Sequence, residues 1–353
     1  MMALMVIALA CPLPLVSAQG QNDTAPPTDT SSSSWLALPL VSSNPKLGTS
    51  VGALGAFLHK FDSDSRVSMF GATYQYTSTN STIAAAFART SFGADRHRIA
   101  AMGAFGFIKN DYDDYLGTGE PLKTNDDLRA VVGRYLYRVK GNWLLGAQGN
   151  AANYQVLGES PEDALVLETL GVKGFDSAAI GAVVMHDSRD SEDMPTGGWF
   201  LNVNNFSYRE AFGGSSSFDV YRADLRLFWN HGGRHVLAIR QNNWFTDGAP
   251  VVAQATVLLR GYKLGQYLAP YMSSLEVEER VSFHPRWGAT LFAGAASLYG
   301  ESDSTTSNHD LYPMWGAGVH FVIKPVERML VNFEYADGVE DNRGAYLKFG
   351  YGW

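Results

Sequence analysis

The chain has 353 residues, of which 46% are hydrophobic and only 18% are charged, and its formal net charge is −8. This charged fraction is lower than the roughly 25% that is typical of soluble domains. The negative charge offers no electrostatic support for nucleic-acid binding, so we expect no nucleic-acid partner.

The first residues, 1–18, have the pattern of a secretory signal peptide. An apolar run ends at the small residues Val16, Ser17 and Ala18, which is typical of a cleavage site, although no Lys or Arg precedes it. Cys11, the only cysteine, leaves a lipoprotein processing site as an alternative. Cleavage after Ala18 would leave no cysteine, which excludes a disulfide or a cysteine-based zinc site.

Residues 19–34 are polar and of low complexity, with the sequence QGQNDTAPPTDTSSSS. This composition predicts a flexible linker. We therefore expect one folded domain at 35–353.

After the linker, apolar and polar residues alternate with a period of two. In the segment 221–229, YRADLRLFW, Arg222, Asp224 and Arg226 share one face and apolar residues share the other. Successive side chains of a strand point to opposite faces. The pattern fits a soluble antiparallel sheet with its apolar face on a core. It also fits a transmembrane barrel with its apolar face on lipid and its polar face on a wet lumen.

Segment lengths and connections favour the barrel. The segments run about 10 to 13 residues, close to the 9–11 that cross a bilayer at a tilt, and no stretch approaches the ~18 apolar residues of a membrane helix. Short and long connections alternate along the chain. We therefore predict an all-β fold, a 16-stranded antiparallel transmembrane β-barrel. The predicted strands are 35–43, 48–59, 66–77, 82–91, 96–109, 128–139, 142–154, 169–184, 198–210, 218–230, 234–246, 273–284, 287–299, 312–324, 329–337 and 343–353.

Loop lengths and tryptophans predict how the barrel is oriented. With both ends in the periplasm, the longer loops 110–127, 155–168, 247–272 and 300–311 lie outside the cell. Tryptophans then collect beside the periplasmic ends, as in the aromatic girdle of a membrane interface. Core tryptophans of a β-sandwich are the alternative explanation. The girdle would consist of Trp35, Trp143, Trp199, Trp229, Trp287 and Trp353.

Several short motifs follow one another in a recognisable order. They are Asp187-Ser188-Arg189-Asp190, Pro195-Thr196-Gly197-Gly198, Leu259-Arg260-Gly261-Tyr262, Glu276-x-Glu278-x-Arg280, Pro285-Arg286-Trp287, and a last strand with the aromatic C-terminal signal Phe349, Tyr351 and Trp353. Their order resembles the barrel domain of the BamA/TamA superfamily, also called the outer-membrane protein eighty-five or bacterial surface antigen family. The resemblance covers nearly all of 35–353.

The resemblance implies a role for the arginine of the long outer loop. In that family the loop folds back into the barrel, and its arginine meets acidic residues of the lumen wall. Arg260 takes this role by resemblance, with Gly261 allowing a tight backbone and Tyr262 packing beside it. A solvated loop arginine is the alternative.

The acidic partner of the arginine has to be sought among this chain's own carboxylates. The family's aromatic-x-Asp-x-Gly strand corresponds here to 292–296, FAGAA, which lacks the aspartate. Strand parity points Glu276, Glu278 and Glu334 inward, and we favour Glu278.

Other polar groups carry weaker predictions. Asp187, Arg189 and Asp190 predict a salt-bridge lattice at a periplasmic turn that also includes Pro195 and Gly197. His231 and His235 flank a Gly-Gly turn, where a metal is the less favoured reading. Five aspartates of the 110–127 loop predict a solvated surface, with a cation site as the alternative; they are Asp111, Asp113, Asp114, Asp126 and Asp127.

The first and last strands predict a loose seam. Pro39 lacks a donor, and Gly344, Gly350 and Gly352 weaken the last strand. Alternatively, Pro39 precedes the paired region.

Three functions remain open at the level of sequence. The resemblance implies protein insertion into, or translocation across, the outer membrane of a Gram-negative bacterium. The alternative is a non-enzymatic pore or structural surface-antigen barrel. A barrel hydrolase is the third, but we find no convincing catalytic set and expect no enzyme, cofactor or metal. The expected partners are outer-membrane lipid, lipopolysaccharide and a periplasmic protein that supplies accessory domains.

Overall fold

The computed structural model describes residues 34–44, 48–112, 121–169, 175–192, 194–300, 311–324 and 329–351. The predicted signal peptide, 1–18, lies outside the described residues. So does the predicted linker apart from Ser34, the first residue of the first strand.

The described residues form eighteen strands and one α-helix, α1 (Pro161–Thr169). The strands are β1 (Ser34–Asn44), β2 (Gly48–His59), β3 (Ser68–Thr77), β4 (Thr82–Phe92), β5 (His97–Tyr112), β6 (Leu122–Lys140), β7 (Trp143–Gly158), β8 (Phe175–Asp187), β9 (Gly198–Tyr208), β10 (Phe218–Asn230), β11 (His235–Asp247), β12 (Ala255–Thr256), β13 (Leu268–Ala269), β14 (Tyr271–Ser282), β15 (Trp287–Tyr299), β16 (Leu311–Lys324), β17 (Met329–Asp337) and β18 (Arg343–Phe349).

Sixteen of these strands belong to one antiparallel sheet, and β12 with β13 forms a separate two-stranded ribbon. Each strand of the sheet pairs with its neighbours along the chain, and β11 pairs with β14 across the ribbon. The order returns from β18 to β1, where Ser43 pairs with Ala345, so the described strands are arranged as a closed barrel. The predicted all-β antiparallel fold is confirmed.

The two faces of the sheet have opposite chemistry. On β14, Leu275 and Val277 are exposed while Glu276 and Glu278 are buried. The same holds on β17, where Phe333 is 54% exposed beside a Glu334 that is fully buried. The polar face therefore lies inside the sheet and the apolar face outside. Within the described residues, no helix has both the length and the hydrophobicity needed to cross a bilayer.

Four strand predictions match the observed bounds, namely those for β2, β10, β15 and β17. The predicted outer loop 110–127 is wrong at both ends, because β5 continues to Tyr112 and β6 begins at Leu122. Inward polar side chains preserve the period of two there: Asn110 donates to Thr124 and to Asp126. The aspartates suggested a loop, but Asp126 lies buried inside a pair of long strands.

The predicted loop 155–168 is also wrong, because it contains α1. Ser160 caps this helix, since Asp163 N donates to Ser160 Oγ and Ser160 N donates back to the Asp163 carboxylate, each at 3.1 Å. This reciprocal cap is a local helix signal. As a result β8 begins at Phe175, six residues after the predicted start at 169.

Candidate functional site

The segment between β11 and β14, residues 248–270, lies inside the barrel. Nearly every side chain from 252 to 269 is buried, and the β12–β13 ribbon folds the segment back on itself. Its apolar side chains, such as Val257 and Leu264, join a buried cluster with Met272 and Leu298 of the barrel wall. Burial of this apolar surface holds the loop in the lumen. We call residues 248–270 the inner loop.

Arg260, in the middle of the inner loop, meets three carboxylates of the wall. Its Nη1 lies 2.7 Å from Glu278 Oε2 and 3.2 Å from Glu334 Oε2, and its Nε lies 3.3 Å from Glu276 Oε2. Burial opposes the charge, but Glu334, Glu278 and Glu276 raise the pKa of Arg260 above its ordinary value. The structure therefore brings together all three predicted partners, and Glu278 makes the shortest contact.

Three further cations complete the acidic wall. Arg280 Nε lies 2.6 Å from Glu278, Lys348 Nζ lies 2.9 Å from Glu334, and Arg240 Nη1 lies 3.8 Å from Glu276. Each carboxylate thus has a wall cation as well as Arg260. A buried carboxylate without such compensation would be very costly, so the loop and the wall require each other.

The backbone of Gly261 and the ring of Tyr262 fix the arginine in place. Gly261 has φ +94°, a left-handed conformation that side chains disfavour, and its N–H donates to Tyr346 OH at 2.9 Å. Tyr262 OH donates to Pro313 O at 2.6 Å. A Cβ at Gly338 would lie 2.7 Å from the Tyr262 ring, so that position requires glycine.

An aromatic platform lies at the strand where the family's aspartate is absent. The guanidinium carbon of Arg260 is 3.5 Å from the centroid of the Phe292 ring, a cation–π contact. A Cβ at Gly316 would come within 2.3 Å of this ring, so glycine makes room for Phe292. Sequence reasoning looked here for a missing acid and did not assign Phe292 a role.

The predicted periplasmic turn forms a polar lattice. Arg189 Nε lies 2.9 Å from Asp187 Oδ1. Asp190 accepts from Thr196 N at 2.8 Å and from Gly197 N at 3.2 Å, which closes the turn. Pro195 O accepts from Arg280 Nη1 at 3.2 Å.

This turn also reaches across the barrel, which the sequence did not predict. Glu192 pairs with Arg66, between β2 and β3, and with Arg89 on β4. On the other side, Met194 packs against the Val322, Leu330 and Tyr351 cluster, beside the Arg280 contact. The described residues 188–192 and 194–197 therefore touch both walls, and we call them the crossing loop.

The C-terminal signal is only partly described. Trp353 and the side chain of Phe349 lie outside the described residues. The alternation of β18 would place Tyr351 on the outward face together with Leu347. Tyr351 is instead buried, with its hydroxyl 3.2 Å from His320 Nε2 and its ring 3.9 Å from the Arg280 guanidinium. Gly350 has φ +77°, which ends the regular alternation and turns Tyr351 inward.

The histidines of the β10–β11 turn lie closer to an acid than the sequence suggested. His231 Nε2 is 3.0 Å and His235 Nδ1 is 2.9 Å from the Glu279 carboxylate. Their ligand atoms lie within 4.8 Å of one another, so the trio could bind a metal ion. Glu279 already satisfies both rings, which equally explains the arrangement.

The contact between the first and last strands is short. One residue pair, Ser43 with Ala345, joins β1 and β18 among the described residues, whereas seven pairs join β17 and β18. Pro39 pairs with Ala53 of β2, and it precedes Ser43, the described residue of β1 that pairs with β18. We call the β1–β18 contact the seam.

The fold is similar to those of several outer-membrane proteins. BamA from Haemophilus ducreyi, in a structure lacking POTRA domains 1–3, matches with a TM-score of 0.58 at 12% identity, over 92% of this chain and 70% of that one. CdiB from Acinetobacter baumannii matches with 0.58 at 9% identity, over 90% of this chain and 59% of that one. CdiB from Escherichia coli matches with 0.58 at 12% identity, over 92% and 63%.

No protein-family model matches the sequence, and no curated protein sequence does. At identities of 9–12%, the similarity is one of fold. It confirms at that level the resemblance to the BamA barrel that the motifs indicated. The chain spans less than two thirds of either CdiB chain.

Proposed function

We propose that this protein spans the outer membrane of a Gram-negative bacterium as a 16-stranded transmembrane barrel and assists protein insertion into, or translocation across, that membrane. The observation that carries the proposal is the combination of a seam with one described residue pair and an inner loop anchored on the opposite wall. A seam that opens would offer strand edges to a client chain, because unpaired edges are templates for added strands.

The outer surface supports the membrane location. Large apolar side chains cover it, including Leu291 and Trp315, which are 65% and 61% exposed. Soluble monomers rarely expose apolar patches of this extent. Trp35, Trp143, Trp229 and Trp287 are exposed at strand ends that lie on one rim of the barrel, as expected for an interfacial girdle. Lipid and lipopolysaccharide would be the partners of this surface.

Periplasmic help is part of the proposal. The structure of the similar BamA is described as lacking POTRA domains 1–3, so that protein has domains beyond its barrel. For this chain we propose a periplasmic partner protein that supplies accessory domains. The proposed role is not enzymatic and uses no cofactor.

A disulfide across the seam tests the role directly. Ser43→Cys with Ala345→Cys, in a chain with Cys11→Ser, would lock β1 to β18. We expect oxidation to lower the amounts of other outer-membrane barrels in a quantitative proteome, and a reductant to restore them. The matched control is Ser50→Cys with Thr77→Cys, which locks β2 to β3 at a registered pair. Full assembly with the seam oxidised would overturn the proposal.

The alternative, a non-enzymatic pore or surface-antigen barrel, makes a different prediction. The inner loop fills the lumen and the crossing loop touches both walls, which disfavours a steadily open pore. Steady ion conductance of the purified protein in planar bilayers, with an unchanged outer-membrane proteome after depletion, would support the alternative.

A further inference from the structure

One side of the barrel interior has more arginines than carboxylates. A cavity of about 300 Å³ lies there, lined by two carboxylates, Asp187 and Glu192, and by six arginines. The arginines are Arg66, Arg89, Arg98, Arg134, Arg189 and Arg226.

The nearby carboxylates are shared among several cations. Glu192 forms ion pairs with Arg66 and Arg89, and Asp187 forms ion pairs with Arg66 and Arg189. Asp224 forms ion pairs with Arg226 and Arg240. Asp95 forms ion pairs with Arg66, Arg98 and Arg138. Burial and the neighbouring Arg98 lower the pKa of Arg66 to about 10, as expected where cations crowd together.

Arg134 has a neutral partner instead of an acid. Its Nε and Nη2 donate to Gln148 Oε1 at 3.0 and 2.6 Å, and Gln148 in turn donates to Asn204 Oδ1 at 2.9 Å. In the described parts of the chain, no carboxylate forms an ion pair with Arg134. Among the residues that the structure describes, the charge of Arg134 is therefore compensated by dipoles and not by an acid.

Arg222 lies in the same row of the wall. It pairs in register with Asn204, and its guanidinium is 4.2 Å from the centroid of the Trp244 ring. Its Nε and Nη2 are buried without a hydrogen-bond acceptor among the described residues. Buried donors of a cation are costly when no acceptor is present, so this row is suited to an anion that supplies one.

We propose that the arginine-lined cavity binds a small tetrahedral oxyanion, of the phosphate or sulfate type, through Arg134 and its neighbouring arginines. Arg222 does not line the cavity, and its charge in the adjacent row of the wall adds electrostatic attraction for the ion. The planar fork of a guanidinium matches two oxygens of such an ion. The cavity, of about 300 Å³, has room for a free ion of this size. This inference does not depend on the proposed role in protein assembly.

Titration calorimetry with inorganic phosphate tests the proposal, using the full chain in detergent at constant ionic strength maintained with chloride. We expect one saturable site and a loss of affinity of at least about tenfold for Arg134→Gln, since charge-assisted hydrogen bonds are the strong ones. Arg222→Gln removes only a nearby charge and should cause a smaller loss. The matched control is Arg129→Gln, an exposed arginine on the opposite face of β6, which should bind within about twofold of the parent.

Two results would overturn the assignment. One is phosphate binding that is absent in the parent or unchanged in Arg134→Gln. The other is binding of short-chain phosphatidic acid without binding of inorganic phosphate, which would assign the arginines to a lipid headgroup. Arg134→Lys distinguishes a loss of binding from a folding defect. Lysine keeps the positive charge but lacks the planar guanidinium that donates two hydrogen bonds, so this variant should bind phosphate with intermediate affinity.

Discussion

The two halves of the barrel interior solve the problem of buried charge in opposite ways. On the β14–β18 side, Glu276, Glu278 and Glu334 each have a cation of the wall, and the inner loop adds Arg260, which contacts all three. On the β4–β10 side, arginines outnumber the acids, and no carboxylate of the described residues pairs with Arg134, which donates to Gln148 instead. One half is therefore completed by the chain itself, whereas the other half is open to a diffusible ion.

Removal of Arg260, the cation of the inner loop, should have the largest effect on the difference between the two sides of the interior. Arg260→Ala leaves three buried carboxylates short of a partner, and breaking a buried pair costs about 3–5 kcal/mol. We expect the inner loop to become cleavable by protease and the barrel to assemble poorly, as measured by limited proteolysis and by the heat-dependent gel shift. Arg343→Ala, which removes a largely exposed rim arginine, is the control. Parental protease resistance in Arg260→Ala would show that the loop is held by its apolar contacts alone.

A smaller effect is expected from the backbone beside that arginine. Gly261→Ala forces a side chain into the left-handed region at a cost of about 1–2 kcal/mol, while all ion pairs remain available. Its Cβ would also touch Asn342 O at 3.4 Å. Proteolysis of the inner loop should accelerate, though less than in Arg260→Ala. Gly133→Ala is the control, because nothing lies within 4 Å of its Cβ. Equal effects of the two variants would contradict the positional role of Gly261.

Glu192→Gln tests the arginine-rich β4–β10 side of the interior. The substitution removes a carboxylate that Arg66 and Arg89 share, so phosphate affinity should rise severalfold. Loss of these partly exposed pairs should cost only about 1 kcal/mol of stability. Titration calorimetry and thermal denaturation measure the two effects separately. Weaker phosphate binding in this variant would mean that Glu192 organises the cavity instead of competing with the ion.

The smallest expected effect is a pH dependence at the β4–β5 turn. Burial raises the pKa of Asp95, but hydrogen bonds from Arg98 and Ser91 outweigh it and lower the pKa to about 2. The unfolded value is about 3.9, so this carboxylate stabilises the fold above pH 4 and the stabilisation is lost as the pH falls towards 2. Solvent screening limits the effect to about 1 kcal/mol.

Asp95→Asn provides the comparison for that pH dependence. We expect its thermal denaturation midpoint to change less than that of the parent between pH 5 and pH 2. If the denaturation midpoint changed equally with pH in the two proteins, Asp95 would not be the titrating group.

The sequence predicted the acidic half better than the arginine half for a physical reason. Strand parity placed Glu276, Glu278 and Glu334 inward, and the Arg-Gly-Tyr resemblance indicated which arginine they meet. Parity also placed Arg222 inward, but whether a described residue offers an acceptor to its Nε and Nη2 depends on how strands several positions apart align across the interior. Local patterns do not contain that register, so neither the Arg134–Arg222 row nor the reach of Glu192 could be predicted.

The predicted strand and loop boundaries were wrong where polar residues make structural contacts. Asp126 suggested a loop but lies inside β6, and the Ser160–Asp163 cap starts a helix within a predicted loop. Tyr351 followed the alternation of the last strand until Gly350 changed its direction. In each case one local contact or one backbone torsion decided the outcome against the average pattern.

The lengths of the strands give the barrel an uneven rim. β5, β6 and β7 contain 16, 19 and 16 residues, whereas a tilted strand crosses a bilayer in about 9–11. In the proposed orientation, the extra length of these three strands extends beyond the lipid headgroups on one side of the barrel. Molecules that approach the cell from outside would therefore meet this side of the barrel before the rest of the molecule.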